Sequence, residues 1–98
     1  MQTIWKFPLE TTDRQVIRMP VGSRILTVQT QSQSGKPCLW AVVDSDAPLQ
    51  PRGFEICGTG HPMSINGDEI HEYIGTYQLN DGQLVFHVFE IFGDLQRL

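Results

Sequence analysis

The run Glu72-Tyr73-Ile74-Gly75-Thr76-Tyr77-Gln78-Leu79, then Asn80-Asp81-Gly82-Gln83, then Leu84-Val85-Phe86-His87-Val88-Phe89-Glu90-Ile91 decides the fold class. In the first arm Tyr73, Gly75, Tyr77 and Leu79 alternate with Ile74, Thr76 and Gln78. In the second, Leu84, Phe86 and Val88 point one way and Val85, His87 and Phe89 the other. A period of two is the period of a strand. Asn-Asp-Gly-Gln between the arms is a hairpin turn, rich in residues that tolerate positive φ. The second arm is apolar on both faces and belongs at the middle of a sheet.

Working outward, Cys38 to Asp44 shows the same two-sided character, with Cys38, Trp40 and Val42 opposite Leu39, Ala41 and Val43. It reads as a second central strand. Thr3 to Leu9, Gln15 to Met19, Arg24 to Gln31 and Phe54 to Cys57 supply further strands. Thr11-Thr12-Asp13 and Pro20-Val21-Gly22-Ser23 are turns, and Ser32-Gln33-Ser34-Gly35-Lys36 is a polar hairpin loop. Residues 45–52 and 61–69 read as irregular connections, and Phe92 to Leu98 as a short tail. No window of helical period escapes a Gly, a Pro or a β-branched run. The expectation is an all-β fold: one antiparallel sandwich or barrel of about seven strands spanning residues 1–98.

Composition narrows the function classes. The chain has 98 residues, seven Lys and Arg, and a formal net charge of −4. That balance argues against a duplex nucleic-acid binder, which needs a basic face. Two cysteines, Cys38 and Cys57, are too few for a disulfide scaffold or a four-cysteine zinc site. No apolar run approaches the ~18 residues of a membrane span. The first residues lack a signal-like apolar stretch. A cytoplasmic protein with reduced thiols is expected, with no cofactor, no metal and no membrane partner.

Arg52-Gly53-Phe54-Glu55-Ile56-Cys57-Gly58-Thr59-Gly60-His61-Pro62-Met63 is the stretch richest in groups able to form a site. Gly58-Thr59-Gly60 reads either as a tight turn or bulge that needs glycine, or as a ligand contact aiming amide N–H groups at an anion. Arg52, Thr59 and His61 can each donate to a phosphate. Trp5 and Phe54 are the aromatics placed to stack on a base. An oligomer interface could add Arg18 or Arg24. Cys57 and His61, four apart, could meet as nucleophile and base, although Cys57 also reads as a small core residue. His61, His71 and His87 fit no compact metal spacing. His87, between Phe86 and Val88, reads as a packed histidine bonded to a neighbouring carbonyl, and His71 as solvated.

Several stretches resemble a family of short proteins encoded by phages and prophages. They are Ile4-Trp5-Lys6-Phe7-Pro8-Leu9, Met19 to Gln29, Pro37 to Asp44, Gly58-Thr59-Gly60-His61-Pro62, Tyr73-Ile74-Gly75-Thr76 and Val85 to Glu90. By class, the chain is similar to the phage sponges that counter bacterial immunity. The resemblance implies a non-enzymatic homo-oligomer that sequesters a cyclic nucleotide or cyclic ADP-ribose signal at a subunit interface. The ligand-binding residues expected on this reading are Arg52, Phe54, Gly58, Thr59, Gly60, His61, Trp5 and Arg24. Two alternatives stand beside it. One is an interaction module that inhibits a host protein or serves in a virion. The other is a hydrolase using Cys57 or a histidine.

Overall fold

The computed structural model describes residues 1–31, 35–63 and 69–93. Among the described residues it contains seven strands and no helix: β1 (Gln2–Pro8), β2 (Arg14–Pro20), β3 (Arg24–Thr30), β4 (Pro37–Asp44), β5 (Leu49–Gly58), β6 (Ile70–Leu79) and β7 (Leu84–Phe92). All pairings are antiparallel. One sheet has the order β1-β4-β3 and the other β2-β5-β7-β6. The fold is therefore the expected small all-β sandwich, with β4 central in one sheet and β5 and β7 in the other.

Most strand ends fall within a residue of expectation, and three boundaries bear on the four-stranded sheet. β5 starts at Leu49, inside the stretch read as a loop because of its prolines. Pro51 is tolerated because β7 pairs with β5 only from Gly53 onward, so Pro51 has β2 as its one neighbour. β6 begins at Ile70, two residues early, and Phe92 closes β7 opposite it rather than opening a tail. The Asn66-Gly67-Asp68 segment, Ser32 to Ser34 and the tail beyond Gly93 lie outside the described residues. The hairpin turn is as read: Asn80 and Asp81 have φ of 53° and 54°, and the Gly82 N–H donates to the Leu79 carbonyl at 3.2 Å.

The core draws on both sheets. Leu9, Met19, Val28, Leu39, Phe54, Ile56, Tyr77 and Val88 form one buried cluster. Leu39, Ala41 and Val43 are the inward side of β4 and are almost fully buried. The Tyr77 hydroxyl lies 2.9 Å from Thr11 Oγ1, so its buried phenol is paired.

The sandwich closes along one side, where β3 meets β6. Each strand has a register shift, at Leu26 in β3 and at Ile74 in β6. The bulge at Ile74 breaks the alternation read from sequence. Tyr73 turns outward against Phe89, with ring centroids 5.6 Å apart, while Gly75 opposes Val88 and faces β3. A Cβ on Gly75 would stand 2.8 Å from Val28 Cγ1. Val28 is buried and β-branched, so it cannot swing aside. Gly75→Ala should cost about 1–3 kcal/mol by overpacking. A melting temperature lowered by several degrees checks this. Adding Val28→Ala should relieve the clash, so the double variant loses less than the sum of the two singles.

Candidate functional site

The outer face of the four-stranded sheet gathers the polar chemistry of the chain. Phe54 and Ile56 point into the core from β5, so Glu55 and Cys57 point out. On β7 the outward residues are His87 and Phe89, and Cys57 stands in register with His87. The turn that follows β5 folds beside this face. The His61 N–H donates to the Gly58 carbonyl at 3.0 Å, and Gly60 has φ +83°, which closes a type II turn over Gly58–His61. The His61 imidazole lies on Gly58, where an added Cβ would meet Nδ1 at 2.6 Å.

Cys57, Gly58, Thr59, Gly60, His61, Met63, His87 and Phe89 line a hollow of about 220 Å³. A hydrogen-bonded chain runs along its rim. Thr59 Oγ1 lies 2.7 Å from His87 Nε2, His87 Nδ1 lies 3.0 Å from Thr76 Oγ1, and Thr76 Oγ1 lies 2.6 Å from the Tyr73 hydroxyl. Both imidazole nitrogens are thus held by hydroxyls, which can donate or accept. His87 is bonded to these two hydroxyls rather than to a carbonyl, which corrects the expectation from sequence.

Cys57 is not poised as a nucleophile. Its Sγ–H donates to the carbonyl of His61 at 3.4 Å, while the His61 ring lies over Gly58. Burial pushes the Cys57 thiol up, with the negative charges of Glu55 and Asp13 adding to it. Cys38 and Cys57 are both free and sit on different sheets.

A second cluster sits on the same face. Arg14 of β2 forms a fork with Glu69, Nη1 to Oε2 at 2.7 Å and Nη2 to Oε1 at 2.8 Å. Arg14 Nε stands 3.5 Å from Glu55 Oε1, and His71 Nε2 stands 3.3 Å from Glu55 Oε2. The His71 side chain is only 8% exposed and packs edge-on against Phe89, so it is not the solvated residue expected. This cluster fastens the end of the 59–69 connection to the sheet that carries the hollow.

The structure divides the residues expected to bind ligand. Gly58, Thr59, Gly60 and His61 stay together at the hollow. Two of their amides are already used and do not face an anion: the Thr59 N–H donates to the Val85 carbonyl at 3.1 Å and the His61 N–H to the Gly58 carbonyl within the turn. Phe54 is fully buried in the core and cannot stack on a ligand. Arg52 lies in the other half of β5, forked onto Glu90 (Nε to Oε2 2.6 Å, Nη2 to Oε1 2.8 Å) and bonded to the Ser23 carbonyl. Arg24 joins Arg52 in a separate hollow of about 350 Å³, where Glu72 and Glu90 balance the two guanidinium charges. Trp5 is on β1, in the three-stranded sheet.

Sequence reading missed Arg14, Glu55, Glu69 and Phe89 as site groups, and weighed His71 and His87 only as metal ligands or catalytic histidines. One signal was available: alternation places His87 and Phe89 on one face. Among the described residues no group of histidine, cysteine or carboxylate side chains could hold a metal ion. No helix there is long and apolar enough to cross a membrane. No curated protein and no solved structure matches the chain. A family model matches residues 1–94, and the chain belongs to that family, a domain of unknown function designated DUF7352.

Proposed function

We propose that the protein is a non-enzymatic binding module that captures a nucleotide-type small molecule by one planar ring. The observation that carries this reading is the hollow beside the Gly58–His61 turn. It joins an apolar floor, Met63 and Phe89, to a few oriented polar groups, Thr59, His61 and His87. That mixture is the usual make-up of a small-molecule site. Its volume of about 220 Å³ lies below the roughly 300–1,000 Å³ of pockets that enclose whole ligands. A heterocyclic ring suits it; a complete dinucleotide does not. Among the described residues no arginine or lysine lines it, so the ring and not the phosphate is the part gripped. Sequestration without turnover matches the class of phage-encoded sponges that the sequence resembles, acting in the host cytoplasm on a cyclic nucleotide or cyclic ADP-ribose signal.

A thermal-shift panel of cyclic dinucleotides, cyclic trinucleotides and cyclic ADP-ribose isomers tests the reading. A ligand at a hundred times its Kd adds about 2.7 kcal/mol of stability, which is several degrees for a domain of this size. His87→Ala should weaken that ligand about tenfold by releasing the Thr59 hydroxyl that His87 orients at the hollow. Intact ligand recovered after heat release supports capture. A cleaved product, or no shift across the panel, overturns it.

A second reading has its own observation. Ile70 and Phe92 pair across the ends of β6 and β7, and both are exposed, at 68% and 41%. Such a pair suits contact with a host or virion protein. One stoichiometric partner, lost in Ile70→Asp and indifferent to every small molecule in the panel, would favour it.

A further inference from the structure

The two sheets have four edges, and three of them are protected against pairing with another chain. β3 and β6 are turned toward each other along the closed side, and each carries a bulge. β2 carries the exposed Arg18 and ends in Pro20. At its start, the Gln15 side chain bonds the Glu10 N–H and carbonyl, folding the preceding connection back on it. Bulges, charges, proline and covering loops are the usual means of blocking an edge.

β1 has fewer of these protections: like β2 it ends in a proline, Pro8, and carries one exposed charge, Lys6, but among the described residues it has no bulge and no covering loop. Among the described residues it pairs with β4 alone, in unbroken register from Gln2 to Pro8. Antiparallel geometry turns the N–H and C=O of alternate β1 residues away from β4. The one charge on the strand, Lys6, reaches across to Gln31 Oε1 at 3.0 Å, so its ammonium is drawn over the outer face of the sheet. Ile4 is 57% exposed and Trp5 38%. A flat apolar strand with open backbone groups is a template for a further strand.

We infer that β1 is the self-association edge of the protein, pairing antiparallel with β1 of a second copy. The two-fold axis falls near Trp5, and the product is a continuous six-stranded sheet, β3-β4-β1 followed by the same strands of the partner in reverse. Such a contact is self-complementary, as a two-fold dimer requires. Charge supports a second copy as the occupant. The chain carries a net charge of −4, yet residues 1–9 contain no carboxylate. The paired strands themselves therefore bring no carboxylates face to face, and Glu10, just beyond them, is paired with Lys36 at 3.2 Å. Across the axis Trp5 meets Trp5 of the partner subunit, and Ile4 lies beside the partner's Lys6 stem.

The contact is a modest one. Seven residues at ~3.3 Å each make a strip about 23 Å long and about 10 Å deep. That is well short of the ~800 Å² per partner of a standard interface. The dimer is therefore reversible and concentration-dependent. It does not involve the hollow on the opposite sheet and stands or falls separately from ligand capture.

Sedimentation and light scattering of the full chain, from micromolar to millimolar, test the inference together with hydrogen exchange at both extremes. The expected result is a mass rising toward twice that of one chain, with slower exchange of β1 amides at high concentration. Trp5→Glu sets two carboxylates together on the axis and should leave a monomer. Its panel-ligand response, if the wild type has one, reports that the fold is intact. Should Trp5→Glu fail to fold, Ile4→Lys serves in its place, since Ile4 points to solvent and a lysine there sets like charges against the partner's Lys6. A monomer at every concentration overturns the inference and leaves only a foreign strand for this edge. A dimer whose β1 amides exchange as fast as in the monomer also overturns it, because it assembles through another face.

Discussion

Arg14→Met should destabilise the protein by about 3–5 kcal/mol, the usual cost of removing one partner from a buried ion pair. The guanidinium is 13% exposed and the carboxylates it faces, on Glu69 and Glu55, are 3% and 2% exposed. Removing it leaves two acidic groups on one buried patch without the cation they share. The side chain lost matters less than the charge left behind. Lysine should rescue only in part, because a point charge cannot reproduce the planar fork onto Glu69. Arg14→Met combined with Glu55→Gln and Glu69→Gln should recover much of the loss, since it removes the carboxylates whose shared cation is gone. Urea unfolding of the four proteins measures the differences. Equal stability of Arg14→Met and wild type would mean that the cluster contributes nothing to the fold. The same substitution has a local consequence. Arg14 faces Glu55, Glu55 faces His71, and His71 packs on Phe89 of the hollow, so ligand capture should weaken in Arg14→Met even where the protein remains folded.

The fold was legible in sequence because each strand states its period or its turn. β7 alternates over its whole length, and the Asn80–Gln83 turn could only be a hairpin. β4 shows its central place by being apolar on both sides. Pro51 misled, because a proline forbids a strand only where a ladder bond is required, and the neighbour on that side ends at Gly53. Tyr73 was assigned to the face of Gly75 because one bulged residue, Ile74, reverses the alternation beyond it and leaves no mark in composition. The candidate site was legible only in part. Gly58 to His61 are local and stay together. Their true neighbours, His87 on β7 and Thr76 on β6, come from pairing across strands, which no local pattern records. Phe54 and Glu55 are adjacent in sequence and lie on opposite sides of a sheet. A reading that gathers site groups by nearness along the chain must mix the two faces, and that is how Phe54 and Arg52 came to be joined with His61.

Arg52→Ala separates stability from binding, and its expected result is a large loss of the first with none of the second. The guanidinium is 15% exposed and its partner Glu90 8% exposed. Its removal leaves a buried carboxylate unpaired by its cation and takes a donor from the Ser23 carbonyl. That should cost about 3–5 kcal/mol. Arg52→Met with Glu90→Met should restore most of it, because a packed apolar pair avoids the desolvated charge. Binding at the hollow should be unchanged at temperatures where the variant is folded. Arg52 and Gly58 are six positions apart on one strand, so about 20 Å separates them. Arg52 also faces the space between the sheets, whereas Cys57 and His87 face out. A weaker ligand in Arg52→Ala, with His87→Ala silent, would move the site to the hollow shared by Arg24, Arg52 and Glu72. The reverse pattern keeps it beside the Gly58–His61 turn. Because Glu90 balances Arg52 so closely, a phosphate could recruit this arginine only by displacing a buried carboxylate, at a cost comparable to the ion pair itself.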